Sequence, residues 1–179
     1  MITLRDIISN LSKGQSATSI RYILQAMQQN YEKIKSKIKV NGHQQDSNSS
    51  TFFFSIPSID KPVFYDVVIW LKTKDKLLLD TEVKVYSNSP VFAYNFCFTF
   101  YQSSSLFYPE KYSNDFKILP PRVRNPWGLH SFDKHIFAAI LYIKELGINK
   151  IIESTQNRVP QIKTFDQKKK ELDTLKKRR

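Results

Sequence analysis

A chain of 179 residues, 41% hydrophobic and 13% aromatic, can bury one sizeable core and is short for two. Its formal charge of +12 draws polyanions, whether nucleic acid, an anionic membrane surface or an acidic protein, without choosing among them. The single cysteine, Cys97, excludes an intrachain disulfide and a multi-cysteine zinc site, and no segment approaches the ~20 apolar residues of a spanning helix, so a soluble protein of a reducing compartment without a visible export signal is expected.

Residues 1–15 read as an arm with a short amphipathic helix around Leu4 to Leu11. The clearest periodicity follows. Ile20, Leu24, Met27, Tyr31, Ile34 and Ile38 recur at steps of four and three, which predicts a long helix from Ser16 to about Val40, with Ser16, Thr18 or Ser19 as N-cap and Lys33, Lys35, Lys37 and Lys39 at its negative pole. NGHQQDSNSS, Asn41 to Ser50, holds only turn formers and polar residues and reads as a mobile loop.

Four strand-like runs come next, TFFFSI, VFYDVVIWL, KLLLDTEVKVYS and VFAYNFCFTFYQ, joined by short linkers as in an antiparallel meander. In the last run Phe92, Tyr94, Phe96, Phe98 and Phe100 alternate, so as a strand they share one face. The stripe on the long helix is a seam for a sheet or a neighbouring helix, and it is the expected cover for that face.

Residues 103–129 contain four prolines and no sustained period, which suits an ordered loop with extended pieces. Ser131 is placed to cap a second helix, FDKHIFAAILYIKEL, that Gly147 stops. INKIIES fits either a strand or a helical turn. The tail from Lys163 holds eight basic residues against three acidic, +5 of the +12, and with only Leu172 and Leu175 as aliphatics it is expected to become helical on a partner. The domain reading is therefore an arm 1–15, an α+β domain 16–160 with a four-stranded, mainly antiparallel sheet packed by two helices, and a basic tail 161–179.

Three constellations bear on chemistry. Asp66, Glu82 and Lys84 match the carboxylate and E-x-K pattern of PD-(D/E)xK nucleases, in which two carboxylates hold Mg or Mn and the lysine activates water. A symmetric KTKDK loop sets Asp66 directly opposite Glu82, and Glu32 is a further acidic candidate on the preceding helix. The plain alternative is a solvated strand face on which Glu82 and Lys84 pair with polar neighbours. On that reading there is no catalytic residue, metal or cofactor. Arg122, Arg124 and Trp127 in PPRVRNPWGL form a proline-braced loop suited to anchoring a partner, and the tail adds Lys168, Lys169, Lys170, Leu172, Leu175, Lys176, Lys177, Arg178 and Arg179. His43, His130 and His135 lack metal-ligand spacing, and the four glycines are too scattered to cradle a phosphate.

The succession Val85, Tyr86, Ser87 and Pro90, then Pro121, Arg124, Asn125 and Pro126, then Asp133 and Lys134, resembles virion proteins of tailed phages that infect low-GC bacteria, over Glu82 to Ile143. The order of helix, meander and helix is similar to ring-forming tail-terminator and tail-completion proteins. That resemblance implies a non-enzymatic subunit of the neck or tail, a homo-oligomer in the virion, assembled in the host cytoplasm against other virion proteins. Its basic surface would face DNA or acidic neighbours. A nuclease and a basic nucleic-acid-binding module are the two alternatives.

Overall fold

The computed structural model describes residues 2–11, 17–72, 78–113, 117 and 133–177. Five strands, β1 (Ile2–Thr3), β2 (Lys39–Gln45), β3 (Ser50–Pro57), β4 (Phe64–Leu71) and β5 (Glu82–Ser87), form one sheet in the order β1-β5-β4-β3-β2, each neighbouring pair antiparallel. The helices described are α1 (Leu4–Leu11), α2 (Ala17–Ile34), α3 (Pro90–Asn95), α4 (Cys97–Gln102), α5 (Lys134–Leu146), α6 (Ile148–Ser154) and α7 (Phe165–Lys177). The fold is α+β on an antiparallel sheet, with five strands where the sequence suggested four. None of these helices is long and apolar enough to cross a membrane.

The expected fourth strand is a pair of helices. Alternation at every second residue also contains spacing at every fourth, so Phe92, Phe96 and Phe100 line one side of α3 and α4, with ring centroids 6.4 Å and 5.5 Å from Phe92. What decides for helix is the entry. Ser89 accepts a hydrogen bond from Phe92 N at 3.2 Å as N-cap, and Pro90 follows at the first helical position.

Two strands were not expected: β1 lies in the N-terminal arm, and β2 runs into the expected loop. The long helix stops at Ile34, a 3-10 turn Lys35–Lys37 follows, and β2 runs from Lys39 to Gln45 with a bulge at Asn41. Asp46 then closes the hairpin, its side chain accepting from Asn48 N at 2.8 Å and Ser49 N at 2.7 Å.

Pairing sorts the sheet into two faces. One carries Phe52, Phe54, Tyr65, Val67, Ile69, Val83 and Val85, and the other carries Gly42, Phe53, Asp66, Val68, Trp70, Lys84 and Tyr86. Helix α5 covers the first: Tyr142 meets Phe54 edge-on at 6.0 Å and His135 lies 4.5 Å from Tyr65. That role was expected of the longer helix. In its place α5, apolar nearly all round, takes the buried position, and the polar-flanked α2 lies outside it with Tyr31 Oη donating to Glu145.

The second face is crossed by the segment 156–163. Its start pairs with the outer edge of β2, through His43 N to Gln156 O at 3.1 Å and Arg158 N to His43 O at 2.9 Å. It can lie flat because Gly42 has no side chain: a Cβ there would sit 2.5 Å from the Arg158 carbonyl oxygen. The other outer edge, on β5, is covered by β1 and then by Ser105 to Phe107, which bond to Val85 at 2.9 and 2.8 Å. Both sheet edges are thus occupied by the chain itself. The N-terminal arm is part of the same body, with Leu4 and Ile7 fully buried.

Candidate functional site

Strand pairing separates the three residues of the nuclease pattern. Val67 pairs with Ser87, Trp70 with Lys84 and Leu71 with Val83, so Asp66 falls beside Asn88, whose N–H donates to the Asp66 carbonyl at 3.2 Å. Glu82 lies instead at the far end, against Lys72, its Oε2 3.3 Å from Lys72 Nζ. Asp66 and Glu82 are six residues apart along the ladder, roughly 20 Å. The expected opposition of the two carboxylates is overturned because the β4–β5 connection is longer than a five-residue loop. It takes in the 3-10 turn Leu78–Asp80, and pairing slips by six. An even slip keeps every side chain on its face. Asp66, Glu82 and Lys84 thus share a side of the sheet without sharing a site.

Lys84 lies over the half-buried Trp70 ring, 5.3 Å from its centroid. Glu32 is occupied on α2 by Lys35 at 2.9 Å. A helix, α3, follows E-x-K closely where a fourth strand was expected. Among the described residues no group of three His, Cys, Asp or Glu side chains could hold a metal ion.

What Asp66 does is visible in its partners. Asn88 reaches it twice, receiving Asp66 N–H on Oδ1 at 2.9 Å and donating Nδ2 to Asp66 Oδ2 at 3.0 Å. The same Oδ2 accepts Lys163 N–H at 3.1 Å, while the Lys163 carbonyl accepts Tyr86 Oη at 2.6 Å. The backbone of one residue in the C-terminal segment, Lys163, is therefore held by the sheet through both its N–H and its carbonyl. Burial raises the Asp66 carboxyl above its ordinary range, against the pull of the Lys163 amide, Lys168, Lys163 and Asn88. Burial also raises the Tyr86 phenol, which stays a donor. An open cleft of ≈ 430 Å³ lies beside this clamp, lined by Gln161, Lys163, Gln167 and Glu171.

A second polar node joins two helix starts. Asp133 is the N-cap of α5, accepting His135 N at 3.1 Å and Ile136 N at 2.7 Å, so the expected cap, Ser131, is displaced by a residue two positions on and itself lies outside the described residues. Ser89, the cap of α3, donates its hydroxyl to Asp133, and His135 Nδ1 lies 3.2 Å from Asp133 Oδ2. Burial pushes Asp133 up, but His135, Ser89 and the Ile136 amide outweigh it and hold the carboxyl below its usual range.

Ser, His and Asp meet here in the wrong order for a nucleophile. The hydroxyl gives its hydrogen to the carboxylate and not to the imidazole, and all three residues are buried. The trace of this node in the sequence was Asp133 before an apolar helix, which reads as dipole compensation until Ser89 is seen across from it. Cys97 is no alternative nucleophile, since burial pushes its thiol up to about 12.

The expected partner surface divides. Arg122, Arg124, Trp127, Arg178 and Arg179 lie outside the described residues, as does His130. Lys169, Lys170, Lys176 and Lys177 are exposed on α7. Lys168 and Leu172 turn inward: Lys168 Nζ sits 5.4 Å above the Tyr65 ring and 2.9 Å from Glu171, and Leu172, with Leu175 beside it, packs on Val63 and Tyr65. The tail is thus helical against its own chain. The reason is Phe165, a buried anchor at its first position that the aliphatic count overlooks. No protein-family model, curated protein or solved structure matches the chain.

Proposed function

We propose that this chain is a structural subunit of a tailed-phage virion, at the head-to-tail junction or in the tail, that works through its surfaces. The observation that carries the reading is the use made of Asp66. The carboxylate best placed by sequence for metal chemistry is bonded to Asn88 and to the Lys163 amide, and Glu82 is committed to Lys72 at the other end of the ladder. Groups spent on holding the chain together leave the surface as the working part. The resemblance over Glu82 to Ile143 supplies the kind of assembly, and the charge of +12 supplies an affinity for DNA or for acidic neighbouring subunits.

The occupied sheet edges bear on how copies meet. Strand addition at β2 or β5 would have to displace the segment 156–158 or the pieces at Ile2–Thr3 and Ser105–Phe107. Contacts between copies would run through helices and connecting segments. Native mass spectrometry of the full chain at micromolar concentration tests the proposal. A closed ring of one copy number is expected, and a monomer at every concentration, alone and with DNA, would contradict it.

A further inference from the structure

We propose that one corner of the fold is the place where this protein meets the phosphodiester backbone of duplex DNA, which rests on the structural reading above only for the choice of polyanion. The corner is the start of β2 together with the β3–β4 turn. Lys37 ends the 3-10 turn before β2, and Lys39 opens the strand opposite Ser55, with its Nζ 5.4 Å from the ring centroid of Phe64. Lys61 stands in the turn three residues before Phe64, and Arg158 arrives from the crossing segment, donating Nε to the Asn41 carbonyl at 2.9 Å.

All four cations are exposed, and none makes an ion pair with a described residue. Asp60, which stands directly before Lys61 and feels its charge, is bonded to a different lysine. Asp60 holds Lys134 at 2.9 Å, and Glu171 holds Lys163 and Lys168, each at 2.9 Å. Helix α7, whose Leu172 packs on Val63 two residues after Lys61, carries the exposed Lys169 and Lys170.

The composition favours phosphates over protein carboxylates. Carboxylate recognition rewards the two-pronged guanidinium, yet three of the four cations are lysines, and the one arginine already spends Nε inside the chain. Lysine is a point charge on a flexible stem. Several of them suit a regular row of phosphates, where each contact gains from released counterions.

The test is binding of the full chain to a labelled duplex of about 30 base pairs, followed by anisotropy between about 50 and 200 mM salt. The triple variant Lys37→Ala, Lys39→Ala, Lys61→Ala is compared with Arg21→Ala, Lys144→Ala, Lys150→Ala, which removes the same charge from exposed positions on α2, α5 and α6. The corner variant should bind roughly tenfold or more weakly, with the salt slope smaller by about 3, while the control stays close to wild type. Circular dichroism confirms that both are folded.

Equal loss in the two variants would mean a diffuse field and would overturn the proposal, as would absence of binding at low salt. Polyglutamate is the second probe. If it binds as tightly as DNA at matched salt and depends on the same lysines, the corner serves an acidic protein and the proposal fails. A failure in any of these arms leaves the ring measurement untouched, so the two ideas fall separately.

Discussion

The Asp66 carboxylate occupies a partly buried position because Lys163 N–H and Asn88 Nδ2 both need its oxygen. Its raised pKa gives this arrangement a pH signature. The unfolded chain ionises first as pH rises, so stability that is whole below the ordinary aspartate range declines until the raised value is passed. Asp133 has the opposite sign: its depressed pKa adds stability above the ordinary range that is lost as pH falls through the folded value. Comparing variants isolates the first effect. Asp66→Asn should lose the decline that sets in as pH rises through the ordinary aspartate range while keeping an acceptor for Lys163, whereas Asp66→Ala should cost about 1–3 kcal/mol by leaving two donors unsatisfied. Urea unfolding across that range reads both.

Between elements, the decisive joint is Gly42 under the crossing segment. The substitution Gly42→Ala places a methyl 2.5 Å from a backbone oxygen, which must move, and about 1–3 kcal/mol of destabilisation is expected. Hydrogen exchange should show the loss concentrated in 156–163. Lengthwise patterns told most about the elements: the steps of four and three marked α2, Gly147 marked the end of α5, and the β-branched and aromatic runs marked β3 and β4. Two kinds of information were missing. A row of alternating rings satisfies both a strand and a helix until the Ser89 cap and Pro90 decide, and the pairing of β4 with β5 depends on a connection whose local conformation no periodicity encodes. The candidate site suffered from the second. Residue types and faces were right for Asp66, Glu82 and Lys84, and a slip of six separated them.

For the molecule as a whole, occupied sheet edges and polar groups turned inward leave charge and helical surfaces to meet other molecules. On the proposed reading Asp66 and Glu82 brace separate ends of one ladder and do no chemistry together. Incubation of the full chain with supercoiled and linear DNA in Mg and in Mn tests it most directly, alongside Asp66→Ala and Glu82→Ala. No cleavage by any of the three is expected, with Glu82→Ala within about 0.5 kcal/mol of wild-type stability and Asp66→Ala clearly weakened. Metal-dependent cutting by the wild type that both substitutions abolish, in protein still folded, would mean that the two carboxylates work as one site.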